Sequence, residues 1–182
     1  MITFFGLILT LPILLVVVIF GYFDTGSPVF TQKRVGKNKK PFTLIKFRTM
    51  SVETKSVASH LASTASITKM GGFLRKTKID ELPQLWNVLI GQMSLVGPRP
   101  DVAGYADRLK GRDRLILSIR PGITSPASLK YKNEEEILAA QDEPTKYNDT
   151  VIWPDKVRIN CEYIRNYSFV KDLKYILKTI VG

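Results

Sequence analysis

The sequence predicts an α+β, helix-dominated membrane protein with an N-terminal re-entrant membrane helix over residues 1–23 and one small globular body over residues 24–182. Three observations predict it. The first 23 residues, "MITFFGLILTLPILLVVVIFGYF", contain no charged side chain, so all 27 Lys and Arg and all 16 Asp and Glu lie in the remainder. Pro12 interrupts that apolar run near its middle. The remainder mixes a clear strand pattern with several helical ones, at a length that suits one domain with its own core.

A straight helix over the apolar run would be about 35 Å long, against a hydrocarbon core of about 30 Å. Length alone therefore allows a span. Pro12 removes one backbone hydrogen bond and crowds the preceding turn, which predicts a helix break at Leu11 and Pro12, with a kink or reversal near Thr10 and Leu11. Each arm of about 11 residues reaches only about 16 Å, too short to cross, so both ends return to one face. Lys33, Arg34, Lys37, Lys39 and Lys40 follow closely and place that face on the cytoplasmic side. A cleaved signal peptide would need a basic start and a small-residue cleavage site, which "MITFF" and "FGYFDTG" do not supply.

"DTGSPVFTQKRVGKNKKP" reads as a turn, a short extended piece at "VFTQ" and a basic loop. "FTLIKFRTM", Phe42 to Met50, has the alternation of a strand. Residues 51–68 are rich in Ser, Thr and Ala without a firm period, and the default reading is a mobile surface loop. "GGFLRKTK" begins a short helix after two glycines. "DELPQLWNVLIG" gives a second, with Leu82, Leu85, Trp86 and Leu89 on one face and Gly91 as its stop. "MSLVGPRP" is a brief strand entering a turn made rigid by Pro98 and Pro100, and a helical region, "DVAGYADRLKGRDRLILSI", leads to a second arginine-proline turn at Arg120 to Ile123. After the acidic stretch around "NEEEILAAQDEPTKYNDT", the last helix carries Leu173, Ile176, Leu177 and Ile180 on one face and Lys171, Lys174 and Lys178 away from it. Such a helix suits a membrane interface, and a helix packed on a core has the same period.

A net charge of +11 implies polyanionic company: anionic headgroups, nucleic acid or phosphorylated substrates. The membrane segment favours lipid and phosphate over nucleic acid. One cysteine, Cys161, excludes an internal disulfide framework, and with one histidine, His60, zinc chemistry and a Ser-His-Asp triad are out of reach. "GKNKK" lacks the spacing of a phosphate-binding P-loop, and no GxGxxG is present.

What remains is a set of cations, Lys46, Arg48, Arg75, Arg99 and Arg120, and the adjacent carboxylates Asp80 and Glu81. Arginine's planar fork grips phosphate at two points, although any one of these charges also reads as a solvated surface residue. Asp80 has two readings as well. As an N-cap it would accept a backbone N–H, with Pro83 in the first helical turn. As a nucleophile it would use the positive helix end to stay ionised beside a bound phosphate and attack phosphorus, forming an acyl phosphate. Glu81, about 100° round the helix, could handle a proton or a metal.

The ordered set "SPVFTQKRVGKNKKPFTLIKFRTM", "LRKTKIDELPQLWNVLIGQMSLVGPRP" and "RPGIT", with "YIRNYSFVKDLKYILKT" near the end, resembles the monotopic phosphoglycosyl transferases, bacterial sugar transferases that start glycan assembly on undecaprenyl phosphate. The resemblance implies a reaction in which a UDP-sugar gives its phosphosugar to polyprenol phosphate, releasing UMP, with Mg2+ required. It implies Asp80 as nucleophile and metal ligand, and Glu81 as the acid/base partner beside the same metal. Arg75, Arg99 and Lys46 are implied to bind phosphates or shape the site. It also implies interfacial amphipathic helices and a body on the cytoplasmic leaflet of the bacterial inner membrane, and leaves a homodimer open. The chain departs from the family's usual pattern in starting almost inside the apolar helix, in Leu11-Pro12 where Ser-Pro is common, and in "SPASLKYKNEEE" after "RPGIT". A membrane-tethered nucleic-acid binder and a non-catalytic scaffold of a polysaccharide assembly complex are the rival readings. Salt-sensitive nucleic-acid binding and tolerance of Asp80→Asn, respectively, would reveal them.

Overall fold

The computed structural model describes residues 2–53 and 66–181. The central part of the predicted mobile loop, and His60 within it, lies outside the described residues. Two compact units are present: one built from residues 2–34, 42–53 and 66–93, the other from residues 35–41 and 94–181.

The first unit opens with helix α1, Ile2–Thr25. Most of its large apolar side chains are exposed, including Phe5, Leu9, Ile19, Phe20 and Phe23, so its preferred surroundings are hydrocarbon rather than water. It is long and apolar enough to cross a membrane. The expected break at Leu11 and Pro12 is absent: the helix continues through Pro12. Proline withholds a single N–H, and the turns on either side keep their own hydrogen bonds. Thr10 adds to this turn by donating its hydroxyl to the Gly6 carbonyl at 2.8 Å and the Leu7 carbonyl at 3.3 Å. Val17 and Leu14 pack with Phe47, Leu74, Met70 and Ile79 in the core of the unit.

Strands β1 (Val29–Val35) and β2 (Pro41–Phe47) pair as a hairpin, as the extended "VFTQ" and the alternating "FTLIKF" predict. Its connection is tight because Asn38 and Lys39 both adopt positive φ, at 53° and 64°, while Lys40 N–H donates to the Lys37 carbonyl at 3.1 Å. Helix α2, Lys69–Thr77, starts before the glycine pair rather than after it, because the Thr68 hydroxyl accepts the Gly71 N–H at 2.8 Å and caps it there. Gly71 is required inside the helix, since a Cβ would overlap the Thr49 carbonyl.

Helix α3, Gln84–Leu89, stops as expected: Gly91 has φ of 80° and its N–H reaches the Val88 carbonyl. Its orientation is set by its polar residues. Gln84 and Asn87 are its buried residues, and Trp86, Leu89 and Ile90 are exposed. The reason is Asn87, which is fully buried: its Oδ1 accepts the Ile45 N–H at 3.1 Å and its Nδ2 donates to the Thr43 carbonyl and to Gln92 Oε1, both at 2.8 Å. Those bonds tie α3 to β2 and fix which face turns out.

In the second unit, β3 (Ser94–Val96) and β4 (Gly122–Thr124) pair in parallel, Ser94 opposite Gly122 and Val96 opposite Thr124. The stretch between them, read as helical from sequence, forms two 3-10 segments, Ala106–Arg108 and Gly111–Leu117. Short helices α4 (Pro126–Lys130), α5 (Glu134–Ala139) and α6 (Pro144–Tyr147) lead through a π-helical turn, Asn148–Ile152, into α7, Trp153–Arg165. The core joins Val157 and Cys161 of α7 to Val35, Ala106, Ile116 and Leu117. Helix α8, Phe169–Val181, docks through half-buried Asp172, Tyr175, Ile176 and Thr179, with Thr179 hydrogen-bonded to Thr124 at 2.6 Å and Tyr163 donating to Asp172 at 2.7 Å. Its Phe169, Val170, Leu173, Leu177 and Ile180 remain exposed, next to the row of Lys171, Lys174 and Lys178.

Candidate active site

Asp80 and Glu81 sit in a single 3-10 turn, Ile79–Glu81, between α2 and α3. Lys78 makes the corner in the left-handed conformation, φ 59°, with its N–H on the Arg75 carbonyl and its own carbonyl accepting from Glu81 N–H, both at 3.2 Å. Ile79 anchors the turn in the Val17–Phe47–Leu74 core. Asp80 does not occupy the N-cap position of α3, because the residue before that helix is Pro83. In a 3-10 turn the two carboxylates also diverge by about 120° instead of about 100°.

Both carboxylates are buried, Asp80 6% and Glu81 9% exposed. Two adjacent acids held out of water are costly unless positive charge attends them. This unit supplies Arg75, half-buried in the last turn of α2, and Lys46 and Arg48 near the end of β2. Lys46 and Arg48, two apart on an extended chain, share one face, and both lie over the Phe30 ring, at 5.3 and 5.5 Å from its centre. Arg48 is further held by the Ser27 carbonyl, which its Nε meets at 2.8 Å. That bond gives Arg48 a part in holding the β1 end of the hairpin, in addition to its charge.

Arg99 and Arg120 belong to the second unit. Arg99 is exposed between buried Pro98 and Pro100, and Arg120 is exposed ahead of buried Pro121 and Gly122. The two arginine-proline turns are neighbours: Gly122 N–H donates to the Pro98 carbonyl and Gly97 N–H to the Thr124 carbonyl, both at 2.9 Å. Glycine is needed at both crossing points, because a Cβ on Gly97 would lie 2.6 Å from the Arg120 carbonyl and one on Gly122 would overlap Gly97. The close crossing thus brings together the backbones of the two turns that carry Arg99 and Arg120.

Asn87 is a structural link between α3 and the strand carrying Lys46 that sequence reasoning missed. It binds the β2 backbone at Thr43 and Ile45, directly beside Lys46, while the helix carrying it begins at the Asp80–Glu81 turn. The signal was there: Gln84 and Asn87, three apart, are polar residues inside an otherwise apolar helix.

Among the described residues no group of three or more His, Cys, Asp or Glu could hold a metal. The Asp80–Glu81 pair nevertheless fits Mg2+ in the way phosphate-transferring sites use it, since that ion takes one or two carboxylates together with substrate phosphate oxygens and keeps several waters.

The chain matches the family described as bacterial sugar transferase over residues 1–182. It is 39% identical over 156 residues to an uncharacterized sugar transferase, EpsL, of Bacillus subtilis, covering 85% of this chain and 69% of that protein. It is 35% identical over 181 residues to a UDP-glucose:undecaprenyl-phosphate glucose-1-phosphate transferase of Klebsiella pneumoniae, covering 96% of this chain and 36% of that protein. A UDP-galactose-lipid carrier transferase of Erwinia amylovora is 31% identical over 189 residues, 94% of this chain and 36% of its own length. The chain thus spans about a third of the length of the latter two relatives. With a whole-chain match and a relative at 39% identity, the protein belongs to the bacterial sugar transferase family.

Proposed function

We propose that this chain transfers a sugar 1-phosphate from a UDP-sugar to undecaprenyl phosphate, giving polyprenyl diphosphate sugar and UMP in the first membrane step of a bacterial glycan pathway. The observation that carries the reading is the buried Asp80–Glu81 pair in a 3-10 turn ahead of α3, where neither residue occupies the N-cap position of that helix. Relatives named as UDP-glucose:undecaprenyl-phosphate and UDP-galactose-lipid carrier transferases support the substrate class.

Asp80 acts as nucleophile. A carboxylate oxygen attacks the phosphorus bonded to the sugar, the bond from that phosphorus to the bridging oxygen breaks, and UMP leaves with the electron pair. A phosphate oxygen of the lipid acceptor then attacks the same phosphorus. The acyl-phosphate bond breaks, and Asp80 returns to carboxylate. Glu81 holds or moves the proton of the attacking or leaving phosphate oxygen. Lys46 and Arg75, with Arg99 and Arg120, bind and orient phosphate oxygens, and Arg48 stiffens the strand that carries Lys46. Asp80 and Glu81 would hold Mg2+, which supplies neutralisation of phosphate charge when bound.

On the membrane, we read α1 as a re-entrant helix that bends at Leu11 and Pro12 without breaking. A Cβ placed on Gly6 would lie 4.0 Å from Leu85 of α3, while Val17 packs with Phe47 and Leu74. Both arms of α1 thus lie against the same body, where a spanning helix would carry its N-terminal arm away to the far leaflet. The body then sits on the cytoplasmic leaflet of the inner membrane, and the exposed apolar stripe and lysine row of α8 suit the interface.

The direct test is Asp80→Asn. Asparagine caps helices about as well as aspartate, so a structural Asp80 would tolerate it. The catalytic Asp80 predicts a folded protein with no UMP release from any UDP-sugar, and normal turnover by the variant would refute the assignment.

A further inference from the structure

The apolar face of α3 has no use in the chemistry just described, and its orientation is built rather than incidental. Asn87, held by three hydrogen bonds to β2 and Gln92, leaves the helix no freedom to turn. Trp86, Leu89 and Ile90 are consequently held outward, 48%, 42% and 50% exposed. These residues fall three and four apart, which makes one continuous strip on a helix.

The strip has two neighbours. At its start is the Asp80–Glu81 turn, separated from α3 only by Leu82 and Pro83. Along its side runs α1, whose Gly6 comes up to Leu85, so the strip continues into the apolar surface of α1. A ligand with phosphate at Asp80 and a long hydrocarbon tail would find an apolar track of about 9 Å leading from that phosphate toward lipid, with no charged side chain from Leu82 to Ile90. A soluble nucleotide-sugar has nothing to place there.

We propose that the Trp86–Leu89–Ile90 face of α3 is the subsite for the first isoprene units of the polyprenyl phosphate acceptor. It rests on the transferase reading above and extends it by assigning the tail. The face serves the second half of the reaction: it holds the acceptor's proximal tail so that its phosphate is presented at Asp80. The distal tail passes along α1 into the bilayer.

Kinetics in detergent micelles, where every variant is equally solubilised, separate this role from plain membrane anchoring. Undecaprenyl phosphate and butyl phosphate, which lacks isoprene units, are compared as acceptors, and UMP release without acceptor is followed as a burst. Trp86→Gln is expected to raise the KM for undecaprenyl phosphate about tenfold, a loss of about 1.4 kcal/mol of binding, and to change that for butyl phosphate, which has no isoprene tail to seat there, by less than about twofold. The burst of UMP persists, which reports an intact fold and Asp80. Ile90→Gln is expected to act in the same direction, and Trp86→Phe to restore the wild-type ratio. Equal changes for both acceptors, or an unchanged ratio in both glutamine variants, overturn the proposal. If the wild-type protein itself gives no UMP burst with any UDP-sugar, the transferase reading fails and the subsite with it.

Discussion

Helices α3 and α7 carry opposite solutions to the same problem. In α7 the buried residues include Val157, Cys161 and Tyr163, while Arg158 and Glu162 face out, the pattern of a helix on a core in water. In α3 the buried residues are Gln84 and Asn87, and Trp86, Leu89 and Ile90 face out. Exposing such side chains to water forfeits about 1.5–3 kcal/mol each relative to burial, so a helix built this way has an apolar neighbour outside the fold. The difference teaches that apolar periodicity marks the hydrocarbon-facing side of a helix, and that the hydrocarbon need not be the protein's own.

The largest expected effect is all-or-none and concerns α1. With Cys161→Ser and a single cysteine placed ahead of Met1, a membrane-impermeant maleimide applied to intact cells should leave the protein unlabelled, because the proposed re-entry of α1 would keep both ends inside. Labelling from outside would mean a span. Pro12→Ala should straighten the helix and move part of the population to the labelled form.

Next comes the anchor of α3. Asn87→Ala orphans the Ile45 N–H and the Thr43 carbonyl and is expected to destabilise the detergent-solubilised protein by about 2–4 kcal/mol. Trp86→Ala, on the opposite face, should cost less than about 1 kcal/mol under the same conditions. Thermal unfolding followed by circular dichroism measures both, and similar losses would erase the distinction between the two faces. In α7 the order reverses: Val157→Ala, in the core, should cost about 1–3 kcal/mol, and Glu162→Ala within about 0.5 kcal/mol of nothing.

The smallest effect is on the polar side of α7. Asp155 accepts hydrogen bonds from Lys130, Arg158 and the Tyr131 hydroxyl, and these hold its carboxyl well below the usual carboxylate range. Burial first, and then Asp155, pushes Tyr131 up to about 12. A depressed carboxylate stabilises the fold above its unfolded value of about 4, and that contribution is lost as pH falls through the lower folded value. Acid titration of unfolding should therefore show a shallower loss between about pH 5 and pH 3 in Asp155→Asn than in wild type. An identical acid profile would remove the Asp155 cluster from the account.

Much of this was legible in the residues. The uncharged run of α1, the alternation of β2 and the Gly91 stop follow from local pattern alone, and so does the pairing of Asp80 with Glu81 by adjacency. The orientation of α3 was not, because it depends on Asn87 reaching β2, more than 40 residues away in the chain. The juxtaposition of the Arg99 and Arg120 turns was equally hidden, since it arises from the parallel pairing of two three-residue strands that no local period announces. The unbroken passage of α1 through Pro12 was misjudged because proline removes one bond, and the rest of the ladder suffices for a helix of that length.

The central claim is that Asp80 carries the sugar phosphate between the two substrates, and the most direct measurement is the mass of the enzyme after the first half of the reaction. Protein incubated with a UDP-sugar and Mg2+, without lipid acceptor, and quenched in acid should give a peptide spanning Asp80 that is heavier by one phosphosugar, with a matching amount of UMP released. The adduct should vanish on adding undecaprenyl phosphate. An unmodified Asp80 peptide together with full turnover once acceptor is present would contradict the account and require direct transfer between the substrates.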